Sequence, residues 1–276
     1  MIKNTLILYT YCENQKGILA NKDSSINLKY FLDNGLIENT KYLFCINING
    51  SYKFNFNNYL KKYSNLKIFE GNGKCQLDGW FNIIKNIKKK YDYYYFITDK
   101  VAGPFNRDYF NENWIEYINS KINNNIIISS YGTSPHGKLY KIPYYTMKFF
   151  CTDKNIFDFL IKNDIFTNLR YDTTINNEHN IDNIKEIKLS YILLENNINY
   201  IALDKNKIID LNLISYYKTK NWNKLFEITK KLHKINDLNM KDRIFWTGKI
   251  MIKIFSNNKF SQKFLIKRDV SKLDRW

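Results

Sequence analysis

The chain has 276 residues, of which 44% are hydrophobic and 17% aromatic. This is enough for one large domain or for one domain with an extension, and it argues against wholesale disorder. Its net charge of +17 predicts long-range attraction to polyanions, acidic surfaces or phosphorylated ligands. Four scattered cysteines without a C-x-x-C pair predict reduced thiols in a cytoplasmic protein, and no apolar run reaches the ~18 residues of a membrane-spanning helix.

Short apolar runs alternate with helical patterns along the first part of the chain. Runs of this kind, rich in residues that suit strands, are typical of buried parallel strands, whereas apolar residues at i, i+3 and i+4 indicate helices. The predicted strands are Thr5–Tyr11, Lys41–Asn47, Leu66–Phe69 and Tyr93–Ile97, and the predicted helices are Asn27–Asn34 and Trp80–Lys90.

The same alternation continues to about residue 205. Further strands are predicted at Asn125–Ser130, Met147–Thr152 and Tyr200–Leu203, and further helices at Lys154–Lys162 and Ile184–Glu195. The order predicts an α/β domain with a mainly parallel sheet over residues 1–216. Ligands of such sheets bind beyond the carboxyl ends of the strands, so the residues that follow each strand are the candidates for a site.

The last part of the chain, residues 217–276, is predicted to be a basic helical extension. Amphipathic helices are expected from Trp222 to Ile235 and over Arg243–Phe255, and the final 34 residues hold nine Lys or Arg against two Asp. Three roles stay open: packing on the domain or in a homo-oligomer, contact with a membrane surface through cations beside aromatic residues, and nucleic-acid binding. No recognised nucleic-acid motif accompanies the charge, so a specific nucleic-acid partner is not predicted.

Asp99 is the first candidate for chemistry, because it follows a strand that should be central. A carboxylate there can hold Mg²⁺ or Mn²⁺, and such a cation stabilises the charge that develops on a diphosphate leaving group. The usual signature is Asp-x-Asp, whereas this chain has Thr98-Asp99-Lys100 with one acid. A metal site and an ordinary strand-to-loop cap are both open on this pattern.

A second candidate is the glycine-containing stretch EGNGKCQLDGW, residues 70–80. Asp78 either caps the helix that follows or, with Asn72, contacts a base or ribose. The spacing matches neither a dinucleotide fingerprint nor a Walker loop.

A third candidate is Glu186, the one acid in the basic start of a helix. It is either a general base for an acceptor hydroxyl or a solvated first-turn glutamate. The three histidines form no metal or hydrolase motif, which argues against zinc and Ser/His/Asp chemistry.

Several segments, taken in order over residues 5–205, resemble the rhamnan-synthesis-F-like family and related viral and plant glycosyltransferases of GT-A-type fold. The segments are NLKYFLDNGL, NGKCQLDGW, YDYYYFITDKVAGPF, MKFFCTD and EIKLSYILLENNINYIAL. The Asn- and Lys-rich composition is similar to that of giant-virus homologues. The resemblance implies a GT-A-type mixed, mainly parallel nucleotide-binding sheet flanked by helices.

The resemblance also implies roles for individual residues. Asp99 is the implied metal residue for Mn²⁺ or Mg²⁺, and Glu186 is the implied catalytic base. Two positions depart from the family pattern, since Lys100 replaces a serine and Ala102 replaces an arginine. The predicted donor-binding residues are Tyr9, Thr10, Tyr11, Asn72, Asp78 and Lys100.

The predicted function is therefore transfer of a sugar from a nucleotide-sugar donor, with a UDP-sugar expected, to a hydroxyl of a glycan or protein acceptor with inversion. A viral protein of this kind would act in the host cytoplasm or the virion. The alternative is a catalytically degenerate module of the same fold that binds a glycan or a polyanion, and the departures at Lys100 and Ala102 favour it.

Overall fold

A computed structural model describes most of the predicted α/β domain and short parts of the extension. The described residues are 3–12, 22–50, 54–71, 73, 76–104, 112–122, 126–129, 147–166, 189, 192–204, 207–210, 213–221, 223–225, 227, 246–247, 249–253 and 263–267.

Twelve strands and six helices have both ends within the described residues, and parts of two further helices are described below. The strands are β1 Thr5–Cys12, β2 Tyr42–Asn49, β3 Leu66–Gly71, β4 Tyr93–Thr98, β5 Val101–Ala102, β6 Ile126–Ser129, β7 Phe149–Asp153, β8 Asn199–Asp204, β9 Lys207–Asp210, β10 Trp246–Thr247, β11 Lys249–Lys253 and β12 Lys263–Lys267. The helices are α1 Lys22–Asn34, α2 Asn57–Lys62, α3 Gln76–Asn86, α4 Trp114–Asn119, α5 Lys154–Lys162 and α6 Leu213–Lys218.

Eight of the strands form one mixed sheet in the order β3-β2-β1-β4-β7-β6-β8-β9. Four neighbouring pairs are parallel: β2 with β3, β1 with β2, β1 with β4, and β6 with β8. Three are antiparallel, because β7 runs against both β4 and β6, and β9 against β8. The α/β class with a mixed, mainly parallel sheet flanked by helices is confirmed.

The two central strands are buried along their whole length, which explains why their sequences are apolar without alternation. On one face, Ile7 and Tyr9 of β1 pack in a core with residues of α1 and α4. On the other face, Leu6 and Leu8 pack in a core with residues of α3 and α5. Helices therefore cover both faces and leave the strand ends as the edge where a ligand can bind.

Three short helices, α2, α4 and α6, are not anticipated from the sequence. α4 begins after Asn113, whose side chain accepts hydrogen bonds from the N–H groups of Ile115 and Glu116 and so caps the helix. α2 has no buried residue, so no apolar stripe marks it. α3 spans Gln76–Asn86 instead of the predicted Trp80–Lys90, and Asp78 therefore lies inside its first turn.

The helix predicted over Arg243–Phe255 is wrong, because β10 and β11 occupy this stretch. The sequence Lys-Ile-Met-Ile-Lys of β11 alternates with a period of two and contains two β-branched residues, which favours a strand once a partner strand is present. That partner is β12, which lies on the C-terminal side of the stretch Arg243–Phe255. Local sequence within the stretch therefore does not show it.

Two other predicted helices are described only in part. Residues 223–225 and 227 of the helix expected from Trp222 to Ile235 are helical, as are residues 189 and 192–195 of the one expected over Ile184–Glu195. The extension reaches the α/β domain, because β10 pairs with β5. The domain boundary after residue 216 stays a prediction. Within the ranges given above, no helix has the length and apolar character that crossing a bilayer requires.

Candidate functional site

The order of the strands reverses between β1 and β4, since β2 and β3 lie on one side of β1 and β4 lies on the other. Open α/β sheets bind ligands in the crevice that such a reversal leaves at the carboxyl ends of the strands. The parallel register sets Thr10 beside Thr98. The residues that follow, Cys12 in β1 and Asp99 after β4, therefore emerge at the same edge.

Asp99 forms hydrogen bonds to residues of β1 and α1 beside this crevice. Its backbone N–H donates to the carbonyl oxygen of Thr10 at 3.0 Å, and its carboxylate Oδ2 accepts the N–H of Cys12 at 3.1 Å. Its carbonyl oxygen accepts Nδ2 of Asn27, in α1, at 2.8 Å. The side chain is buried, with 3% exposed. These bonds hold one carboxylate at the point where the strand order reverses.

Whether a divalent cation fits at this edge depends on the protein oxygen atoms that can coordinate it. The residues that the structure describes contain no group of three or more His, Cys, Asp or Glu side chains that could hold a metal ion. Mg²⁺ commonly binds through one or two carboxylates, and substrate phosphates and water complete its shell. Asp99 is suited to supply that single carboxylate. The binding of Mn²⁺ or Mg²⁺ at this place stays a prediction.

An asparagine network extends the edge towards β2 and β3. Asn47 Nδ2 donates to Asn49 Oδ1 at 2.7 Å, and Asn82 Nδ2 donates to Asn47 Oδ1 at 2.7 Å. Asn49 Nδ2 also lies 3.4 Å from the sulfur of Cys12. Asn47 ends a predicted strand and Asn49 closely follows it, but no local pattern points to Asn82, since only the docking of α3 brings it to β2.

Two glycines let backbone approach this network. A Cβ at Gly79, in α3, would lie 2.3 Å from Cγ2 and 2.6 Å from Oγ1 of Thr10, and a Cβ at Gly71 would lie 2.5 Å from Oδ1 of Asn49. The first turn of α3 thus rests directly on the end of β1. Thr10 Oγ1 is buried there without a hydrogen-bond partner in the described structure.

Asp78 lies in the first turn of α3, next to Gly79 and therefore close to the same edge. A Cβ built at Gly73 would stand 2.2 Å from Cβ and 2.9 Å from Oδ2 of Asp78. The side chain is partly buried. A carboxylate in a first turn interacts favourably with the partial positive charge of the helix N-terminus, so Asp78 is placed to stabilise the start of α3. The contact of Asp78 with a nucleotide stays a prediction.

Tyr9 and Tyr11 are core residues rather than edge residues. Each is 1% exposed, and the ring of Tyr9 lies 4.7 Å from that of Phe31. Burial, with the nearby charge of Asp99, raises the pKa of Tyr9 well above its usual value, so the phenol stays neutral. The hydroxyl oxygen of Tyr9 has no hydrogen-bond partner in the part of the chain that is described.

The other predicted positions are placed differently. Lys100 is half-buried and directly follows Asp99, so these two belong to the same edge. Asn72 and Glu186 lie outside the described residues, and their roles stay predictions. Ala102, where the resembling family has arginine, is 0% exposed and pairs with Trp246 of β10. The long-range pairing at this position could not be found from local sequence.

No protein-family model matches this chain, and no curated protein matches its sequence. Among solved structures, it is similar to a cytidylyltransferase from Leptospira borgpetersenii serovar Hardjo-bovis (strain JB197). The identity is 10% and the TM-score 0.38, over 85% of this chain and 96% of that chain. A likeness this distant establishes neither family nor activity, and membership of a glycosyltransferase family stays a prediction.

Proposed function

We propose that this protein is a glycosyltransferase that moves a sugar from a nucleotide-sugar donor to a hydroxyl of a glycan or protein acceptor. The observation that carries the proposal is the position of Asp99, a buried carboxylate held by Cys12 N–H where the strand order reverses. This is the part of an open α/β sheet where nucleotide ligands bind. The sequence resemblance supports the choice of sugar transfer.

The donor diphosphate would lie over the ends of β1 and β4. Asp99 would hold Mn²⁺ or Mg²⁺ there, and a bound divalent cation supplies charge stabilisation for the departing diphosphate. Lys100, the next residue, would add a positive charge on the same side. The cation held by Asp99 and the ammonium group of Lys100 would then share the neutralisation of the diphosphate charge.

The nucleoside would lie on the α3 side of the edge. Asp78, which lies partly buried in the first turn of α3, is offered as its contact. A ribose or base that donates to the Asp78 carboxylate would form a charge-assisted hydrogen bond at this edge of the sheet.

Glu186 would remove the proton from the acceptor hydroxyl as that oxygen attacks the anomeric carbon. In this step the oxygen–carbon bond forms, the bond from carbon to the diphosphate oxygen breaks, and the proton passes to the Glu186 carboxylate. This assignment rests on the sequence resemblance.

A non-catalytic binding module is the second candidate, and one observation favours it. The position of the family's arginine is Ala102, which is buried and paired with β10, so no side chain from this position can reach a ligand. A module would bind donor or glycan without turnover.

Calorimetric titration with UDP-, GDP- and TDP-sugars, with and without Mn²⁺, tests the proposal. Binding of one donor class, followed by hydrolysis or transfer of its sugar, is expected. Binding without turnover on any acceptor tested would support the module instead, and absence of binding across the panel in both conditions would refute donor binding.

Glu186→Gln should spare donor binding and lower turnover, and loss of donor binding would refute the role of Glu186 as a base.

A further inference from the structure

The segment between β2 and β3 carries a surface helix, α2, in which no residue is buried. A helix of six residues is too short to be stable alone, and helices in proteins owe most of their stability to a packed apolar face. Oδ1 of Asn55 accepts the N–H of Asn57 at 3.0 Å and so holds the first turn, but that turn contains no acidic residue to interact with the helix dipole. A surface that covered α2 would therefore supply stabilisation that the domain itself provides only in part.

Three aromatic rings and a leucine lie together on this segment. The ring centre of Phe54 is 4.8 Å from that of Phe56 and 6.0 Å from that of Tyr59. All three side chains pack against the core on the α1 face of the sheet, yet each stays partly exposed. Leu60 follows Phe56 by four residues and so lies on the same side of the helix, and 43% of Leu60 is exposed. The result is an apolar cluster that reaches the surface of the domain.

Positive charge borders this cluster. Lys61 and Lys62 form the end of α2 and are exposed. The carboxylate of Asp33, in α1, accepts a hydrogen bond from the Tyr59 hydroxyl. The ammonium group of Lys29 lies 2.6 Å from the other oxygen of that carboxylate and balances its charge. The cluster therefore presents apolar side chains next to a net positive charge.

We propose that the α2 patch docks on an anionic lipid membrane. The patch consists of Phe54, Phe56, Tyr59, Leu60, Lys61 and Lys62. Charge complementarity gives the sign of the partner, since residues 39–69 contain five lysines and no Asp or Glu. Aromatic and leucine side chains that enter the boundary between headgroups and acyl chains, with lysines at anionic headgroups, are the pattern of interfacial binding. This surface is independent of the proposed sugar transfer.

Two other occupants fit the α2 patch less well. A second copy of this chain in a symmetric contact would place the same patch on both sides, so Lys61 and Lys62 of one copy would face those of the other. A single-stranded nucleic acid gains from bases that stack on aromatic rings, whereas the most exposed apolar side chain of the patch is Leu60, which has no ring.

Co-sedimentation of the full chain with vesicles tests this surface, independently of donor binding. Vesicles of phosphatidylcholine are compared with vesicles that contain about one third phosphatidylserine, at about 0.1 M salt. We expect binding to the anionic vesicles alone. Leu60→Gln should lower partitioning about three- to tenfold, because less apolar surface then enters the membrane. The pair Lys61→Gln and Lys62→Gln should lower it about 25-fold, at about fivefold for each lysine.

A matched control makes the same changes on the other face of the sheet. Helix α5 packs on that face and carries Ile161, which is 38% exposed, and the exposed lysines Lys154 and Lys162. Changing these three residues to Gln should leave most of the binding, and Lys61→Arg with Lys62→Arg should retain it. Because the changed side chains are exposed, every variant should keep the circular dichroism of the parent protein.

Four outcomes would overturn the proposal. The first two are absence of binding to anionic vesicles and equal losses in the α2 and α5 variants. The third is tighter binding to single-stranded RNA than to vesicles, with the same residues of α2 required. The fourth is a dimer of the free chain that the α2 changes dissociate.

Discussion

Asp99 shows at the scale of one residue what local sequence can and cannot indicate. Its place at the end of an apolar strand made it a candidate, because strand ends of this kind meet at one edge. Its bond to the N–H of Cys12 joins residues 87 positions apart, and its carbonyl bonds to Asn27, 72 positions away. No local pattern predicts these partners. They are what converts a strand-end aspartate into a fixed, buried carboxylate.

Asp99→Asn separates the charge of this residue from its structural bonds. The amide oxygen can still accept the Cys12 N–H, so we expect a fold that is retained or destabilised by about 1 kcal/mol, with Mn²⁺-dependent donor binding lost. Calorimetry and thermal unfolding measure the two effects. Asp92→Asn is the control, since Asp92 also accepts a backbone N–H, that of Asn4 at 2.7 Å, but precedes β4. Unchanged donor binding in Asp99→Asn would remove Asp99 from the site.

Cys12 offers a chemical probe of the same edge. It is 5% exposed, whereas Cys45 and Cys151 are 0% exposed, and burial raises the pKa of the Cys45 thiol to about 12. Cys45 therefore stays a protonated, unreactive thiol at neutral pH. We expect a thiol reagent to label Cys12 before Cys45 and Cys151, and the bound donor to slow that labelling, as followed by peptide mass spectrometry. Donor-independent labelling of Cys12 would place the ligand elsewhere.

At the scale of elements, α3 is the helix that builds the edge. Trp80 Nε1 lies 3.2 Å from the carbonyl oxygens of both Leu8 and Ile97, so α3 bridges β1 and β4 from one face. Its apolar spacing predicted a helix from Trp80 onward, because that stripe is local. The sequence could not show that the helix begins at Gln76, nor that Gly79 is the point of contact with Thr10, since both depend on docking.

Gly79→Ala tests that contact. Alanine favours a helix over glycine by about 1 kcal/mol, but its Cβ would overlap Thr10 and Asn47. Overpacking of a core costs about 1–3 kcal/mol, so we expect a net loss of up to about 2 kcal/mol in the free energy of unfolding by urea, together with weaker donor binding.

Adding Thr10→Ala removes the two overlapping side-chain atoms. The double variant should recover about 1 kcal/mol relative to the two single changes added together. Simple additivity would show that α3 does not press on Thr10.

At the scale of the whole molecule, the central sheet was predictable and the extension was not. The strands β1, β2 and β4 are largely apolar runs, which can be recognised without knowledge of their partners, and β3 contains the shorter run Leu66–Phe69. The strands β10 to β12 are short, and each forms only with a partner outside its own stretch: β5 pairs with β10, and β12 pairs with β11. The spacing of the lysines and aromatic residues in this part of the chain fits a helix as well as a strand. Local sequence therefore predicts helices in the extension.

The buried tyrosines make the whole fold sensitive to alkaline pH. Burial raises the pKa of Tyr42 and Tyr91 to about 12 and those of Tyr9 and Tyr95 well above the usual value. A folded pKa above the unfolded value near 10 gives stability that is complete below about pH 10 and is lost as the pH rises through about 12.

Spectrophotometric titration should show this effect directly. In urea the tyrosinate absorbance of all 22 tyrosines should appear together near pH 10. In the folded protein a fraction should appear only at higher pH, together with loss of helical circular dichroism. A single titration near pH 10 in the folded protein, with its structure retained, would contradict the burial of these phenols.

A crystal structure of the chain soaked with a nucleotide-sugar and Mn²⁺ tests the central claim most directly. We predict a diphosphate over the carboxyl ends of β1 and β4, with the metal bound by a carboxylate oxygen of Asp99 and the nucleoside on the α3 side next to Asp78. A nucleotide bound at any other edge of the sheet, or a metal held by residues that do not include Asp99, would contradict it.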